Sequence, residues 1–324
     1  MTKFDVIQYD NSLRDKWQDF LERSNTGHLF HDQRFFEYHP KDRFVNNHLL
    51  FHKGNKIKAL LTGTISEDEQ GRNIYVSHSG ASYGGFVLPL DSGIKDAHNI
   101  MEALLEYLHD NDFDGLRITF APIFYSEMPN HHIEFVMLKN SFEIVRSELS
   151  SIVHFQDTID DNFALFRPST RTATRKALKE GVEVRFNENW VEFYEILEKN
   201  LAMRHDVKPT HTLDELLKLK KLIPGRIKLL SSFKDDKMLA GVVTFELNEK
   251  AILAFYISHR KEYQKLRPLN ILFYELFKWG IESGYEFLDF GTYTLDMEPN
   301  FGLARFKEGF GARGIFRSTW MKIF

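Results

Sequence analysis

The chain has 324 residues, 43% of them apolar, with 42 Lys plus Arg against 46 Asp plus Glu and no cysteine. A single hydrophobic core stops growing near roughly 250 to 300 residues, so two domains are expected, while a disulfide framework, a Cys-based metal site and a cysteine nucleophile are excluded. The longest apolar runs, Met238 to Phe245 and Ala251 to Ile257, fall far short of the roughly 20 residues that span a bilayer, so no membrane span is expected. Charges at Lys3, Asp5 and Asp10 interrupt the stretch where a signal peptide needs an apolar core, and the expected compartment is the cytoplasm.

In chain order, Phe4 to Tyr9 reads as a strand, followed by a helix capped by Ser12 with an apolar stripe of Leu13, Trp17, Phe20 and Leu21. A short helical stretch around Asp32 to His39 precedes strands at His48 to His52, Lys56 to Ser66 and Asn73 to His78, with Gly54-Asn55 as a hairpin turn. A helix follows from about Lys95 to His109, then a strand from Gly115 to Ala121. The second half opens with a basic helix, Pro168 to Glu180, ended by Gly181, and a strand from Val182 to Phe186. Helices at Trp190 to Leu201 and Leu213 to Leu222 lead into three strands, Arg226 to Phe233, Met238 to Leu247 and Ala251 to Ser258. A mostly apolar helix, Pro268 to Ser283, ends at Gly284 before a strand at Phe287 to Phe290. Each half thus runs helices, antiparallel strands, a long helix, then a strand, which predicts an α+β protein built from a degenerate duplication, with domains at 1–150 and 151–324.

Charge divides unevenly. Residues 1–150 hold 15 basic and 22 acidic side chains, a net of −7, and residues 151–324 hold 27 and 24, a net of +3. A modestly basic second half suits an anionic ligand such as a nucleotide diphosphate but is too weak for DNA binding.

Several motifs carry chemistry. Gly80-Ala81-Ser82-Tyr83-Gly84 matches the G-x-S-x-G of a nucleophile elbow, but Phe86 to Pro89 continues as extended chain where a helix is required, so the segment reads as a Gly-rich strand end close to a ligand or a neighbouring strand. Asp289-Phe290-Gly291 imitates the magnesium-binding tripeptide of protein kinases without their other motifs, which leaves an Asp and a Gly at the C-terminal end of a strand. Fourteen histidines include the pairs His28/His31 and His131/His132, yet no H-E-x-x-H helix or ligand spacing accompanies them, and no metal is expected. Arg167, Arg171, Arg175 and Lys179 recur every four residues without acidic partners at i+4, a stripe that is either simply solvated or able to hold phosphate oxygens. In Phe306-Lys307-Glu308-Gly309-Phe310-Gly311, which follows a loop at Pro299 to Leu303, Lys307 is expected where a short helix ends against a turn, either in a loop simply packed by Phe306 and Phe310 or with its cation held between those two rings.

Leu288 to Gly291 (LDFG), the FKEGFG run at Phe306 to Gly311, the basic segment Arg171 to Val184 and SGASYGGF at Ser79 to Phe86 together resemble the FemABX-like branch of the GNAT acyltransferase superfamily over nearly the whole chain. The resemblance implies two tandem GNAT-like domains, each a mostly antiparallel mixed sheet flanked by helices. It implies transfer of an acyl or aminoacyl group onto an amino group of a cell-wall precursor, amino sugar or peptide. The donor would be acyl-CoA or aminoacyl-tRNA, which makes tRNA a candidate partner, and no cofactor is permanently bound. Lys307 would lie beside the transferred carbonyl. Arg260 to Arg267 contains no R-x-x-G-x-G pyrophosphate loop, and the long coiled-coil arm of some peptidoglycan-branching members has no counterpart.

Direct acyl transfer requires an oriented amine, a proton acceptor and oxyanion stabilisation. Lys307 is the candidate oxyanion donor, and Asp289 is a candidate proton acceptor whose strand-end position could instead serve only to fix the following turn. Arg171 and Arg175 are candidates for substrate phosphates, and Tyr83, Tyr256 and Tyr293 for substrate contacts, although a tyrosine in a Phe-rich core is more commonly structural. The alternative is a non-catalytic glycan- or peptide-binding module derived from a GNAT duplicate.

Overall fold

A computed structural model of the protein describes residues 4–205 and 208–324; Lys3, which enters the signal-peptide reading, lies outside them. Two compact units form, Met1–Glu148 with Phe316–Phe324, and Leu149–Ile315.

The first unit opens with β1 (Asp5–Gln8), α1 (Arg14–Glu22), α2 (Gln33–Phe36), β2 (Val45–Asn46), β3 (Leu49–Lys53), β4 (Lys56–Thr62) and β5 (Thr64–Glu67). It continues with β6 (Asn73–Ser77), β7 (Gly85–Val87), α3 (Ile94–Asp110), β8 (Gly115–Thr119) and α4 (His132–Lys139). Strands β1-β3-β4-β7 form one sheet, and β8-β6-β5-β2 belong to another in which β6 and β8 run parallel across the α3 crossover. The stretch predicted as one strand, Lys56 to Ser66, is split at Gly63, because the ring of Tyr75 occupies the space a Cβ there would need, 2.1 Å from it. The chain passes at that point from one sheet into the other. Asp10 rather than Ser12 caps the helix entry: its extended backbone lets the carboxylate accept from the Ser12 N–H at 2.7 Å, and Ser12 sits inside a 3-10 turn. The core sets Ala97, Ile100, Met101, Leu104 and Leu108 of α3 on Leu49, Phe51, Leu61, Leu116 and Ile118. Each large apolar side chain so buried contributes about 1.5 to 3 kcal/mol.

The second unit receives β9 (Glu143–His154), which begins in the first, and continues with α5 (Ile159–Leu165), α6 (Pro168–Lys179), β10 (Glu183–Phe186), α7 (Trp190–His205) and α8 (Leu213–Leu222). Then come β11 (Ile227–Lys234), β12 (Lys237–Glu246), β13 (Ala251–His259), α9 (Pro268–Glu282), β14 (Phe287–Thr292), the hairpin β15 (Thr294–Leu295) and β16 (Glu298–Pro299), α10 (Phe301–Glu308) and β17 (Arg313–Ile323). Its sheet order is β10-β11-β12-β13-β14-β9, antiparallel except for β13 and β14. Alternation along β12 serves both faces: Ala240 and Val242 join the cluster containing Leu272, Phe273 and Leu276 of α9, while Gly241 leaves room for Phe193 of α7. The segment predicted as loop, Pro299 to Leu303, starts a helix, because the Asn300 side chain accepts from the Leu303 N–H at 2.9 Å.

The final nine residues belong to the first unit rather than to the domain ending at 324 that the sequence suggests. Thr319 to Ile323 pair antiparallel with Thr119 to Gly115, so their backbone groups are satisfied there.

The first unit also buries the imidazoles of His28, His31, His48 and His78. His48 and His78 stack at 5.3 Å, Phe36 lies against both, and Tyr9 and Trp17 pack on His48. Burial lowers the pKa of His31 to about 4 and of His48 to about 3, and holds His78 well below the usual imidazole value. These rings are neutral in the fold but bind protons when unfolded below pH 6.5, so stability is complete above that pH and falls as pH drops toward the folded values. His31 and His48 together should cost about 4 kcal/mol between pH 7 and pH 5. Denaturant unfolding followed by Trp17 fluorescence checks this; Trp17 donates to the His31 carbonyl at 2.8 Å. An unchanged midpoint at pH 5 would mean that the rings take up protons inside the fold.

Candidate functional site

The residues with catalytic potential gather around the turn that ends β14. Gly291 has φ +73°, a left-handed conformation that glycine adopts at least cost, and it bends the strand end back on itself. Asp289, 0% exposed, accepts from the Ser150 hydroxyl (2.8 and 3.0 Å to its two oxygens) and from the Gly291 N–H (2.6 Å). Lys307, in the last turn of α10, is 3% exposed, and its Nζ donates to the carbonyls of Gly291 (2.9 Å) and Thr292 (2.7 Å). A carboxylate and an ammonium, both withdrawn from water, are therefore fastened to the two sides of one turn. Such burial is tolerated only where each charge has hydrogen-bonding partners.

The ammonium is held by carbonyl oxygens, not by a clamp of Phe306 and Phe310. Those rings meet edge to face at 5.2 Å and pack with Phe273 and Phe290 in the hydrophobic cluster. Their part is to fix the end of α10 on the sheet.

The basic helix reaches the same end of α10. The Arg167 N–H donates to the Gly309 carbonyl at 2.9 Å, the Arg167 guanidinium binds the Glu308 carboxylate at 2.5 Å, and Gly309 leaves room for Thr170, whose Oγ1 would lie 2.8 Å from a Cβ there. One turn further on, Arg171 donates to the Ala164 carbonyl at 2.8 Å, and exposed Arg175 lies over the Phe163 ring at 5.3 Å. Tyr293 adjoins the turn directly: it follows Thr292, its N–H donates to Leu149, and its carbonyl accepts from Asn300. Burial, then the Glu308 charge, raises its pKa.

Tyr256 and Tyr83 stand elsewhere. The Tyr256 hydroxyl accepts from the His211 N–H (3.1 Å) and meets the His211 Nδ1 (2.8 Å), and burial pushes its pKa up to about 12. With Tyr194, which donates to the His211 carbonyl at 2.9 Å, it anchors the approach to α8. Tyr83 belongs to the first unit; it is buried, with its hydroxyl 2.8 Å from that of Tyr125. Sequence reasoning missed Ser150, which lies 139 positions from Asp289 and carries no motif. It also left Glu308 without a partner, although that acid directly follows Lys307.

Two further features bear on donor binding. Parallel pairing of β13 with β14 is confined to Ala251–Leu253 and Phe287–Asp289, beyond which the strands have no common register. Where a glycine-rich pyrophosphate loop would precede α9, residues Lys261–Leu266 form a 3-10 turn, Arg267 is left-handed (φ 59°) and Pro268 opens the helix. Among the described residues, no group of three or more His, Asp or Glu could hold a metal ion, and no helix is long and apolar enough to cross a membrane.

A mixed sheet crossed by a parallel β-α-β connection, present once in each unit, is the arrangement of a tandem GNAT protein. Residues 164–308 match the acetyltransferase (GNAT) domain family, and the chain as a whole shares its fold with solved tandem GNAT and FemX structures. The solved structure of FemX is similar over 99% of this chain and 97% of its own, with a TM-score of 0.77 at 12% identity. L-PGS from Bacillus licheniformis is similar over 94% and 90% (TM-score 0.59, 13% identity), and a tandem GNAT protein from the clavulanic acid biosynthesis pathway over 99% and 98% (TM-score 0.56, 9% identity). No curated protein sequence matches the chain.

Removing the Asp289 carboxylate would strand a buried hydroxyl, a buried N–H and the fastening of the turn. Asp289→Ala should therefore destabilise the protein by about 3 to 5 kcal/mol, and Ser150→Ala by only about 1 kcal/mol. Urea unfolding of both variants at pH 7 measures the contrast; equal losses would deny Asp289 its part as the hub.

Proposed function

We propose that this protein is an N-acyltransferase that moves an acyl or aminoacyl group onto an amino group of a cell-wall precursor, amino sugar or peptide, with its chemistry at the Lys307 turn. The observation that carries this reading is the nearly water-free ammonium of Lys307, held on two successive carbonyls at the C-terminal end of a strand. Strand ends of this kind are where open α/β sheets bind ligands, and a buried cation is a strong stabiliser of a developing oxyanion. Asp289, whose oxygens already accept from Ser150 and Gly291, suits a positioning part better than proton transfer. Arg171 and Arg175 are assigned to the phosphates of donor or acceptor. Tyr293 is the tyrosine best placed to touch substrate, since Tyr256 and Tyr83 spend their hydroxyls on internal partners.

The GNAT fold supports acyl-CoA as donor, and the parting of β13 and β14 leaves strand edge for an extended ligand. The 3-10 turn at Lys261–Leu266 favours a second donor, aminoacyl-tRNA, because bulky side chains stand where bare backbone would cradle a pyrophosphate. Both donors place the reaction in the cytoplasm. Incubating the protein with each donor and with lipid- or nucleotide-linked muropeptides, amino sugars and short peptides tests the reading; failure to acylate any amine would leave a non-catalytic binding module.

Lys307→Met should lower turnover by about 100-fold or more, with a melting curve that still shows cooperative unfolding. Near-normal turnover would remove Lys307 from the chemistry. Charge reversal at Arg171 and Arg175 should raise KM more than it lowers kcat, and the opposite pattern would place these arginines at the reacting atoms.

A further inference from the structure

From Asn162 to Lys179 the chain carries five cations, Arg167, Arg171, Arg175, Lys176 and Lys179, and no acid. Arg167 is bound to Glu308, and the other four belong to α6. That helix turns Thr170, Thr174 and Ala177 inward, with Ala177 packed beside Leu239 and Ile271. At about 100° per residue this leaves Thr172, Arg175, Lys176, Leu178 and Lys179 on the outward arc, and all five are exposed. Glu180, the first acid beyond the helix, is engaged with Lys234 at 3.7 Å. Leu178 lies two turns beyond Arg171 and one beyond Arg175, so it stands in the same row as those guanidinium groups, 50% exposed. Arg171 donates to the Ala164 carbonyl, which sets its head next to Leu165, 52% exposed, at the other end of the row.

We propose that the outward arc of α6 docks on a lipid bilayer surface rich in anionic phospholipid, with Leu165 and Leu178 entering the headgroup layer. Charge complementarity selects the occupant. Each Lys or Arg near such a surface strengthens binding about fivefold, and the twelve residues of α6 gather their cations within about 18 Å. The whole chain is net −4, so an anionic surface attracts this face and repels the protein at large, which fixes the docked orientation. A nucleic acid offers the same phosphate charge, but the outward arc presents no aromatic ring on which a base could stack. The two half-exposed leucines gain burial only where an apolar layer lies beneath the charged headgroups.

The test is sedimentation of the full chain with vesicles of phosphatidylcholine alone or mixed in equal parts with phosphatidylglycerol. Neither donor nor acceptor is present, so the outcome is separate from that of the transferase reading. The protein should sediment with the mixed vesicles only, and about 1 M salt, which shortens the screening length to about 3 Å, should release it. Lys176→Gln with Lys179→Gln should weaken partitioning about 25-fold. Lys95→Gln with Lys139→Gln, the same change of net charge on exposed lysines of the first unit, should leave it nearly unchanged. Because the chain has no cysteine, Leu178→Cys accepts a single environment-sensitive dye, whose emission should shift to the blue on the mixed vesicles and stay unchanged with an oligoribonucleotide. Absence of sedimentation with the mixed vesicles, equal binding to phosphatidylcholine alone, or equal losses from the two lysine pairs would each overturn the proposal. So would a dye at residue 178 that remains in water on vesicle-bound protein, and tighter binding of the oligoribonucleotide, lost with Lys176 and Lys179, would give the face to a nucleic acid instead.

Discussion

The second unit is organised around the fastening of one turn. Gly291 and its neighbours receive a carboxylate from β14 below and an ammonium from α10 above, and each of those groups is almost withdrawn from water. The desolvation cost of such groups is met by hydrogen bonds to backbone atoms, so the charges can persist only while the turn keeps its shape. Everything nearby serves that condition. Phe306 and Phe310 lock the end of α10 into the aromatic cluster, Ser150 on β9 holds Asp289, and the start of α6 binds Gly309 and Glu308.

The same β-α-β crossover has different consequences in the two units. In the second, β13 and β14 part after three paired positions. In the first, the chain leaving β6 folds back so that the Gly84 N–H donates to the Thr119 carbonyl and the Gly85 N–H to the Ser77 hydroxyl. Glycine is required there because a Cβ on Gly84 would stand 2.6 Å from the Ser77 hydroxyl, and one on Gly85 2.9 Å from the Phe120 ring. Segment 80–84, which imitates a nucleophile elbow in sequence, is thus glycine-rich for close backbone approach, and Tyr83 within it is a packing residue bonded to Tyr125.

The site was partly legible in the sequence. Lys307 stood out because glycines at 309 and 311 mark a helix end, and Asp289 because a strand-like run stops at Gly291. The number of residues between them concealed that both fasten the same turn. The expectation that aromatic rings clamp Lys307 came from adjacency along the chain, but on a helix immediate neighbours point in different directions: Phe306 and Phe310 share a face turned into the core, whereas Lys307 faces the strand end. For Tyr256, composition alone could not separate a ligand contact from a core tether, since the hydroxyl of His211's partner is identified only by its position.

By itself the sequence determined the element order, the α+β class, the two-unit scale and the helix ends at Gly181 and Gly284, because these follow from short-range periodicity and from backbone freedom at single residues. It also carried the motifs that resemble the GNAT superfamily. Tertiary structure alone decided that Gly63 divides one strand between two sheets, that the last nine residues join the first unit, and that Ser150 supports Asp289. Each of these depends on partners far apart in the chain, where the outcome is set by which buried polar group finds a hydrogen bond and which side chain finds room.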